Sequence, residues 1–284
     1  MTTLPPISIV VPVMEPSKHL ADALQSLEEQ DYPALEVIVE SGEPGGSHTP
    51  AELLNRGFAR ASGDIRGYLR PDELLLPGAL HLVAAEIAAE RGRHVVMGRS
   101  LFLVEGMEDV GVEHPGEYLG YFDHLAVWKR GFNAVPQASV FWHRAVAERC
   151  GAFAGEHRCA VDYDFICRVA RSHSIHPVDC VWSARRLPAD ASSARMTEAE
   201  KEEMLVRVSR THWGSWLSPL RWRCEFSHWL HHRHLHENAR HHARQGEKAA
   251  VEGRCFVATV EFLKTWLLSP AMARARWKGC RRVS

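Results

Sequence analysis

Three groups of acidic residues in this sequence stand at spacings that could do chemistry. Glu40 closes the segment Leu35–Glu40, Asp72 and Glu73 stand together just after Ile65–Leu69, and Asp162 and Asp164 flank Tyr163. Adjacent carboxylates on a loop suit a hard divalent cation (Mn or Mg), which takes oxygen ligands and keeps waters beside substrate phosphates. The same residues have a second reading as helix-start acids. Asp72 and Glu73 precede a helix opening behind Pro77, and Asp162 could be an N-cap with Asp164 in the first turn. A different cluster, rich in histidine, spans 228–242, with i,i+4 pairs at His228/His232 and His232/His236. Such pairs fit zinc only when further ligands complete the set, and a solvated basic face accounts for the run as well.

These side chains need a scaffold that brings them to one edge. Ile7–Val13 is a mostly β-branched run and predicts a buried strand, followed by a helix from Ser17 to Gln30 that Pro33 ends. Leu35–Glu40 predicts a second strand, and Gly42, Pro44, Gly45 and Gly46 a loop. Ala51–Ala61 reads as a helix, Ile65–Leu69 as a strand, Pro77–Arg91 as a helix with Pro in its first turn, and His94–Val104 as a strand. Residues 105–136 read as irregular, Gln137–Trp142 as a short apolar segment, Val161–Arg171 as a helix and Thr197–Arg210 as the start of an all-helical end. The alternation of strand and helix predicts an α/β fold, a doubly wound, mostly parallel sheet flanked by helices. Its ligand site is expected at the carboxyl ends of the strands.

Composition sets the outer bounds. With 45% hydrophobic and 24% charged residues over 284 positions, the chain can bury a core and is not a disordered sequence. The net charge of −1 conceals an asymmetry: residues 1–204 hold 19 Lys and Arg against 30 Asp and Glu, while residues 205–284 hold 15 against 5. An acidic body (1–195) is therefore expected to carry a basic, His-rich helical extension (196–284). Seven scattered Cys without a C-x-x-C pair suit reduced thiols in a cytoplasmic protein. The start MTTLPPIS has no basic region of a secretion signal, and no apolar stretch is long enough for a transmembrane helix.

The order of four blocks is more specific than any one of them. ISIVVPVMEPSKHLADALQSLEEQDYPALEVIVE, LNRGFARASGDIRGYLRPDELLLPGAL, QASVFWHRAVAERCGAF and VDYDFICRVAR together resemble a family-2 glycosyltransferase of the GT-A type, over roughly residues 7–195. The resemblance implies an inverting transferase that moves a sugar from a nucleotide diphosphate donor, most simply a UDP-sugar, to an acceptor hydroxyl. It implies that Pro12, Val13, Met14 and Glu15 line the nucleotide pocket, and that Glu40 accepts hydrogen bonds from the base or ribose. Asn55, with Arg56 and Gly57, matches a helix start near the nucleotide. LRPDE matches the metal-binding region, with Asp72 on the metal beside Glu73, and VDYD matches the region of the catalytic base, placed on Asp162. A cation at Asp72 would stabilise charge on the departing diphosphate, while Asp162 takes the acceptor proton.

Four departures from the family pattern bear on that expectation. Arg70 and Pro71 stand where the metal motif usually begins with an acid or Asn, so Arg70 would pair with the diphosphate or salt-bridge to Glu73 and close the site. In ARRLPADASSA, Pro188 stands where relatives often carry a metal- or diphosphate-binding His. Only a short segment separates Glu40 from Asn55, and the Q-x-x-R-W signature of processive synthases is absent. A degenerate, non-catalytic scaffold on the same fold is the rival expectation. A nucleotidyltransferase would need a Gly- and basic-rich triphosphate loop, which PVMEPSKHL is not.

The extension has its own signals. Phe256, Val260, Leu263 and Leu267 form an apolar stripe beside Trp266, followed by ARARWKGCRR. This suits peripheral contact of 254–284 with an anionic membrane surface, on the inner face of the cell membrane, near a saccharide or lipid-linked acceptor. Packing on the core or on a partner explains the stripe equally. No nucleic-acid partner is expected, because no recognised binding module is present.

Overall fold

Both faces of Ile7–Val13 (β1) are buried, which is why its apolar run is continuous rather than alternating. The computed structural model describes residues 4–42, 48–104, 107–114, 117–155, 160–187 and 196–232, together with residues 245 and 248. Leu20–Glu28 (α1) follows β1, starting later than Ser17 because the Ser17 side chain accepts from the His19 amide at 3.3 Å and forms a turn before the helix. Leu35–Ser41 (β2) then pairs in parallel with β1. Pro50–Arg60 (α2) opens on a capping box, in which the Thr49 side chain accepts from the Glu52 amide and the Glu52 side chain accepts from the Thr49 amide. A Cβ at Gly57 would lie 2.5 Å from Val10 Cγ1, so glycine lets α2 seat closely on β1.

Ile65–Tyr68 (β3) lies parallel to β1 on its other side. Glu73–Leu75 (β4) is a three-residue strand that precedes Ala79–Ala89 (α3). Gly78, at φ 78, sits in the left-handed region, so the helix begins at Ala79 instead of the expected Pro77. Val95–Val104 (β5) and Met107–Glu113 (β6) form an antiparallel pair, followed by the short helix Tyr121–Leu125 (α4). This corrects the expectation of an irregular 105–136. The acidic, Gly-containing β6 carries little strand propensity of its own, and pairing with β5 decides its form.

Val140–His143 (β7), Arg144–Cys150 (α5), Val161–Ser172 (α6), His176–Leu187 (β8) and Glu198–Thr211 (α7) complete the described order. β8 escaped the sequence reading because Pro177 and Asp179 interrupt its pattern. The sheet order is β2-β1-β3-β7-β5-β8-β4, with β6 beside β5. β1 is parallel to β2 and β3, and β5 is parallel to β8; β7 runs antiparallel to both its neighbours, as does β4 to β8. α1 and α3 bury Leu27, Leu80 and Val83 against one face, and α2, α5 and α6 bury Leu54, Val146 and Phe165 against the other. The α/β class with helices on both faces is as the alternation predicts.

The chain divides into two compact units, Met1–Gly214 and Ser215–Ser284. α7 falls in the first, although the sequence boundary at 195/196 assigns it to the extension. Within the first unit the Ser209 hydroxyl donates to the Leu125 carbonyl at 2.6 Å, and the Trp213 indole donates to Ser209 at 2.8 Å. In the second unit residues 219–232 are helical, and the Trp216 and Trp222 rings meet at 4.7 Å. His228 and His232 bring their Nε2 atoms to 3.0 Å; among the described residues, no group of three His, Cys, Asp or Glu could hold a metal. Among the described residues no helix is long and apolar enough to cross a membrane. The 43–47 loop, Pro188, His234, His236, His241, His242 and the 254–284 stripe lie outside the described residues.

Candidate active site

Parallel neighbours β1 and β3 end on the same edge of the sheet, and a cavity of about 400 Å³ opens there. The end of β1 delivers Pro12, Met14 and Glu15, the segment after β3 delivers Arg70 and Asp72, and the start of α6 delivers Asp162. Leu54 of α2 and Tyr68 form apolar wall. Asp162 is the second residue of α6 and not its N-cap, a position held by Ala160 without any side-chain cap. Asp162 lines the cavity at the positive end of the helix. Burial, and then the charge of Asp162, push the Tyr68 phenol well above its ordinary value, so Tyr68 stays a neutral wall.

Arg70 is the most engaged group on this edge. Its Nη2 and Nε donate to Glu73 Oε1 at 2.8 and 3.1 Å, and its backbone amide donates to Glu73 Oε2 at 2.9 Å. Both Glu73 oxygens are thereby turned to Arg70, and the Glu73 side chain is only 3% exposed. Asp72 stands between two guanidiniums, with Arg70 Nε at 3.7 Å and Arg185 Nε at 3.3 Å. Burial acts to lower the Arg70 pKa, but the charges of Glu73, Asp72 and Asp162 outweigh it and raise it above the ordinary arginine value. Burial raises the Glu73 carboxyl above its ordinary value despite Arg70. β4 and β8 fix the arrangement, because their pairing sets Glu73 opposite Arg185 and the Arg186 amide donates to the Asp72 carbonyl at 2.8 Å.

A second recess, of about 90 Å³, lies against the same two residues, Arg70 and Asp162. Arg185, His114, Asn133 and Gln137 also line it. Gln137 is 8% exposed; its amide nitrogen donates to the Tyr68 carbonyl at 2.7 Å, and its buried Oε1 has no hydrogen-bond partner among the described residues. Burial, and then the Arg185 charge, lower the His114 pKa and favour the neutral imidazole. The sequence reading gave no site role to Arg185, His114 or Gln137. Arg185 lies in the ARRLPADASSA segment, three residues before the Pro188 that drew attention, and Gln137 opens the third family-like block.

Three expected nucleotide contacts are not in the cavity wall. Glu40 accepts from Arg60 at 2.6 Å and lies 3.3 Å from Arg56, so both oxygens are bound by α2. Asn55 is joined to the Phe153 backbone by two bonds of 2.9 Å, one given by its amide and one accepted by its oxygen. Val13 packs partly against the core beside α1. The remaining predicted residues, Pro12, Met14, Glu15, Arg70, Asp72 and Asp162, do share one cavity. Glu73 borders the recess instead. Asp164, two residues beyond Asp162, faces inward, accepting from Arg168 and bonding His212 Nε2, each at 2.9 Å. Burial would raise its carboxyl, but the His212 hydrogen bond and Arg168 outweigh it and hold it below the ordinary carboxylate range.

This donor set does not fit the divalent cation that the motif implies. A hard cation draws on several oxygen ligands. Here Glu73 is taken by Arg70, and Asp72 carries one negative charge between two guanidiniums.

No protein-family model and no curated protein matches this sequence. Solved structures match by shape. S. aureus TarS, residues 1–349 in complex with UDP-GlcNAc, aligns at a TM-score of 0.53 and 16% identity, over 73% of this chain and 72% of that one. The chain shares the fold of this structure. TarS 1–349 in complex with UDP aligns at 0.51 and 15% identity over 95% of this chain and 87% of that one, and a further TarS 1–349 structure at 0.51 and 14% over 92% and 91%. In this shared fold the cavity sits where an open α/β sheet places its ligands, beyond the strand ends.

Proposed function

We propose that this chain is an inverting, family-2-like glycosyltransferase that moves a sugar from a UDP-sugar to the hydroxyl of a saccharide or lipid-linked acceptor. The observation that carries the reading is the position of Asp162, which faces both the 400 Å³ cavity and the 90 Å³ recess. A nucleotide-sugar in the larger space and an acceptor hydroxyl arriving beside it would meet at this carboxylate. That TarS, alike in fold, was crystallised with UDP-GlcNAc and UDP supports the choice of donor.

In this reading the uridine lies towards Pro12, Met14 and Glu15, and the diphosphate towards Arg70. The acceptor hydroxyl comes up to Asp162, and its oxygen is the attacking atom. Asp162 takes the proton as that oxygen bonds to the anomeric carbon, on the face opposite the leaving group. The bond from that carbon to the β-phosphate oxygen breaks, and its electron pair departs on the diphosphate. Surface polysaccharide or glycolipid assembly is the setting proposed, at the cytoplasmic face of the membrane, with residues 254–284 as the membrane contact.

A non-catalytic scaffold is the second reading, favoured by the arginines that occupy Glu40, Asp72 and Glu73. Calorimetry with UDP, followed by UDP release from UDP-sugars with wild type and Asp162→Asn, separates the two. The transferase binds UDP and loses turnover, not binding, in the variant. A chain that binds no UDP is the scaffold.

A further inference from the structure

We infer that Arg70 and Arg185 take the place of the divalent cation, so that the donor's diphosphate is held by two guanidiniums on the Asp72 position. The inference rests on the nucleotide-sugar reading above and concerns how that site handles charge.

The departing diphosphate gathers negative charge, and a site that catalyses its departure must meet that charge with a fixed positive group. In a metal-dependent site, carboxylates hold the cation and the cation meets the phosphates. Here the carboxylates already hold cations, and these are side chains. The Arg70 guanidinium donates to Glu73 Oε1 through Nε and Nη2, which fixes its plane, and the Arg70 amide donates to the other Glu73 oxygen. Asp72 lies within 3.7 Å of Arg70 Nε and 3.3 Å of Arg185 Nε. A metal ion at Asp72 would sit against both guanidiniums, and like charge opposes it there.

Asp72, Glu73 and Asp162 balance the charge of the two arginines, so an anion here is met by oriented guanidinium donors and not by net charge. Arg185 engages Asp72 through Nε, and among the described residues its two terminal nitrogens make no hydrogen bond. Its side chain is 41% exposed, and that of Arg70 is 36% exposed. A planar guanidinium held by a carboxylate on one edge offers its other donors to phosphate oxygens in a bidentate fork. Arg70 borders both the cavity and the recess, and Arg185, from β8, lines the recess and meets Asp72 of the cavity wall at 3.3 Å. Asp72 in this account is a positioning residue: it aims the arginines and ligates nothing.

The test is UDP binding by calorimetry in EDTA and in Mn²⁺, with Mn²⁺ uptake followed by electron paramagnetic resonance. Wild type is expected to bind UDP with dissociation constants within about threefold of each other in the two buffers. Excess protein should immobilise no Mn²⁺ beyond what free UDP binds. Arg185→Gln should weaken UDP by about tenfold or more, with Arg185→Lys recovering part of it, while uridine binding stays unchanged. Unchanged uridine binding also shows that the variant is folded. UDP binding that requires Mn²⁺, or an Arg185→Gln variant that binds UDP as wild type does, overturns the inference and leaves the transferase reading intact. Failure to bind UDP in either buffer overturns the transferase reading itself.

Discussion

The cavity wall and the packed shell behind it hold carboxylates in similar company but in different states. Asp72 on the wall and Glu40 in the shell each stand between two arginines. The Asp72 side chain is 36% exposed and opens on the cavity, whereas the Glu40 side chain is 9% exposed and joins β2 to α2. Asp162 and Asp164 repeat the contrast within one helix turn, the first facing the cavity and the second bound to Arg168 and His212. Residue type and sequence pattern are the same on both sides. Access to a substrate-sized space is what separates a group that can react from one that holds the fold together.

The largest expected effect tests the wall. Asp162→Asn keeps size and polarity but cannot take a proton, so turnover should fall about 10²–10⁴-fold in a UDP-release assay. UDP affinity should stay within about twofold, as for a group acting mainly in the transition state. Full turnover in the variant would move the base elsewhere.

Next comes the shell. Asp164→Ala leaves Arg168 and His212 without their carboxylate, and removing one partner of a buried pair costs about 3–5 kcal/mol. Urea melts at pH 7 measure this directly, and a loss below about 1 kcal/mol would place Asp164 outside the load-carrying network.

The shell also predicts a pH response. His124 is buried and its pKa is pushed down to about 3 by burial, then by His212 and Arg130. The unfolded chain therefore binds this proton first as the pH drops. Stability is full above the ordinary histidine value of about 6.5 and is lost from there towards pH 3, by up to about 1.4 kcal/mol per pH unit. Asp164, held below its ordinary value, acts in the same direction: its contribution is present above that value and fades as the pH falls through the folded one. His124→Phe should flatten the slope between pH 6 and 4 in thermal melts.

The smallest effect is expected at Glu40. Its arginines are 45% and 68% exposed, so solvent screens the pairs, and Glu40→Gln should cost below about 1 kcal/mol. UDP affinity should not change. A loss of about tenfold or more would restore Glu40 as a donor contact and erase the contrast with Asp72.

Much of this was legible from residues alone. Ile7–Val13, Pro50–Arg60 and Val161–Ser172 carry strong periodicity or capping, and the structure places all three within a residue or two of the sequence-based bounds. Asp72 and Asp162 were legible as cavity groups because both follow structural punctuation at strand ends. Glu40 was not legible as a tied residue, since Arg56 and Arg60 become its partners only once α2 folds back on β2. Arg185 was hidden for a related reason. It lies 113 positions from Asp72, and only the β4–β8 pairing brings the two together. Gln137 signals itself through one buried, unpartnered oxygen, a property that exists only in three dimensions.

The most direct test of the central claim is a crystal structure with UDP bound. The account predicts the diphosphate beside Arg70 and Asp72, within reach of Arg185, with the uridine along Pro12–Glu15 and Asp162 separated from the β-phosphate by the space for the sugar. UDP seated elsewhere, for example beside Asn55 and Phe153 or against Arg56 and Arg60, would contradict it.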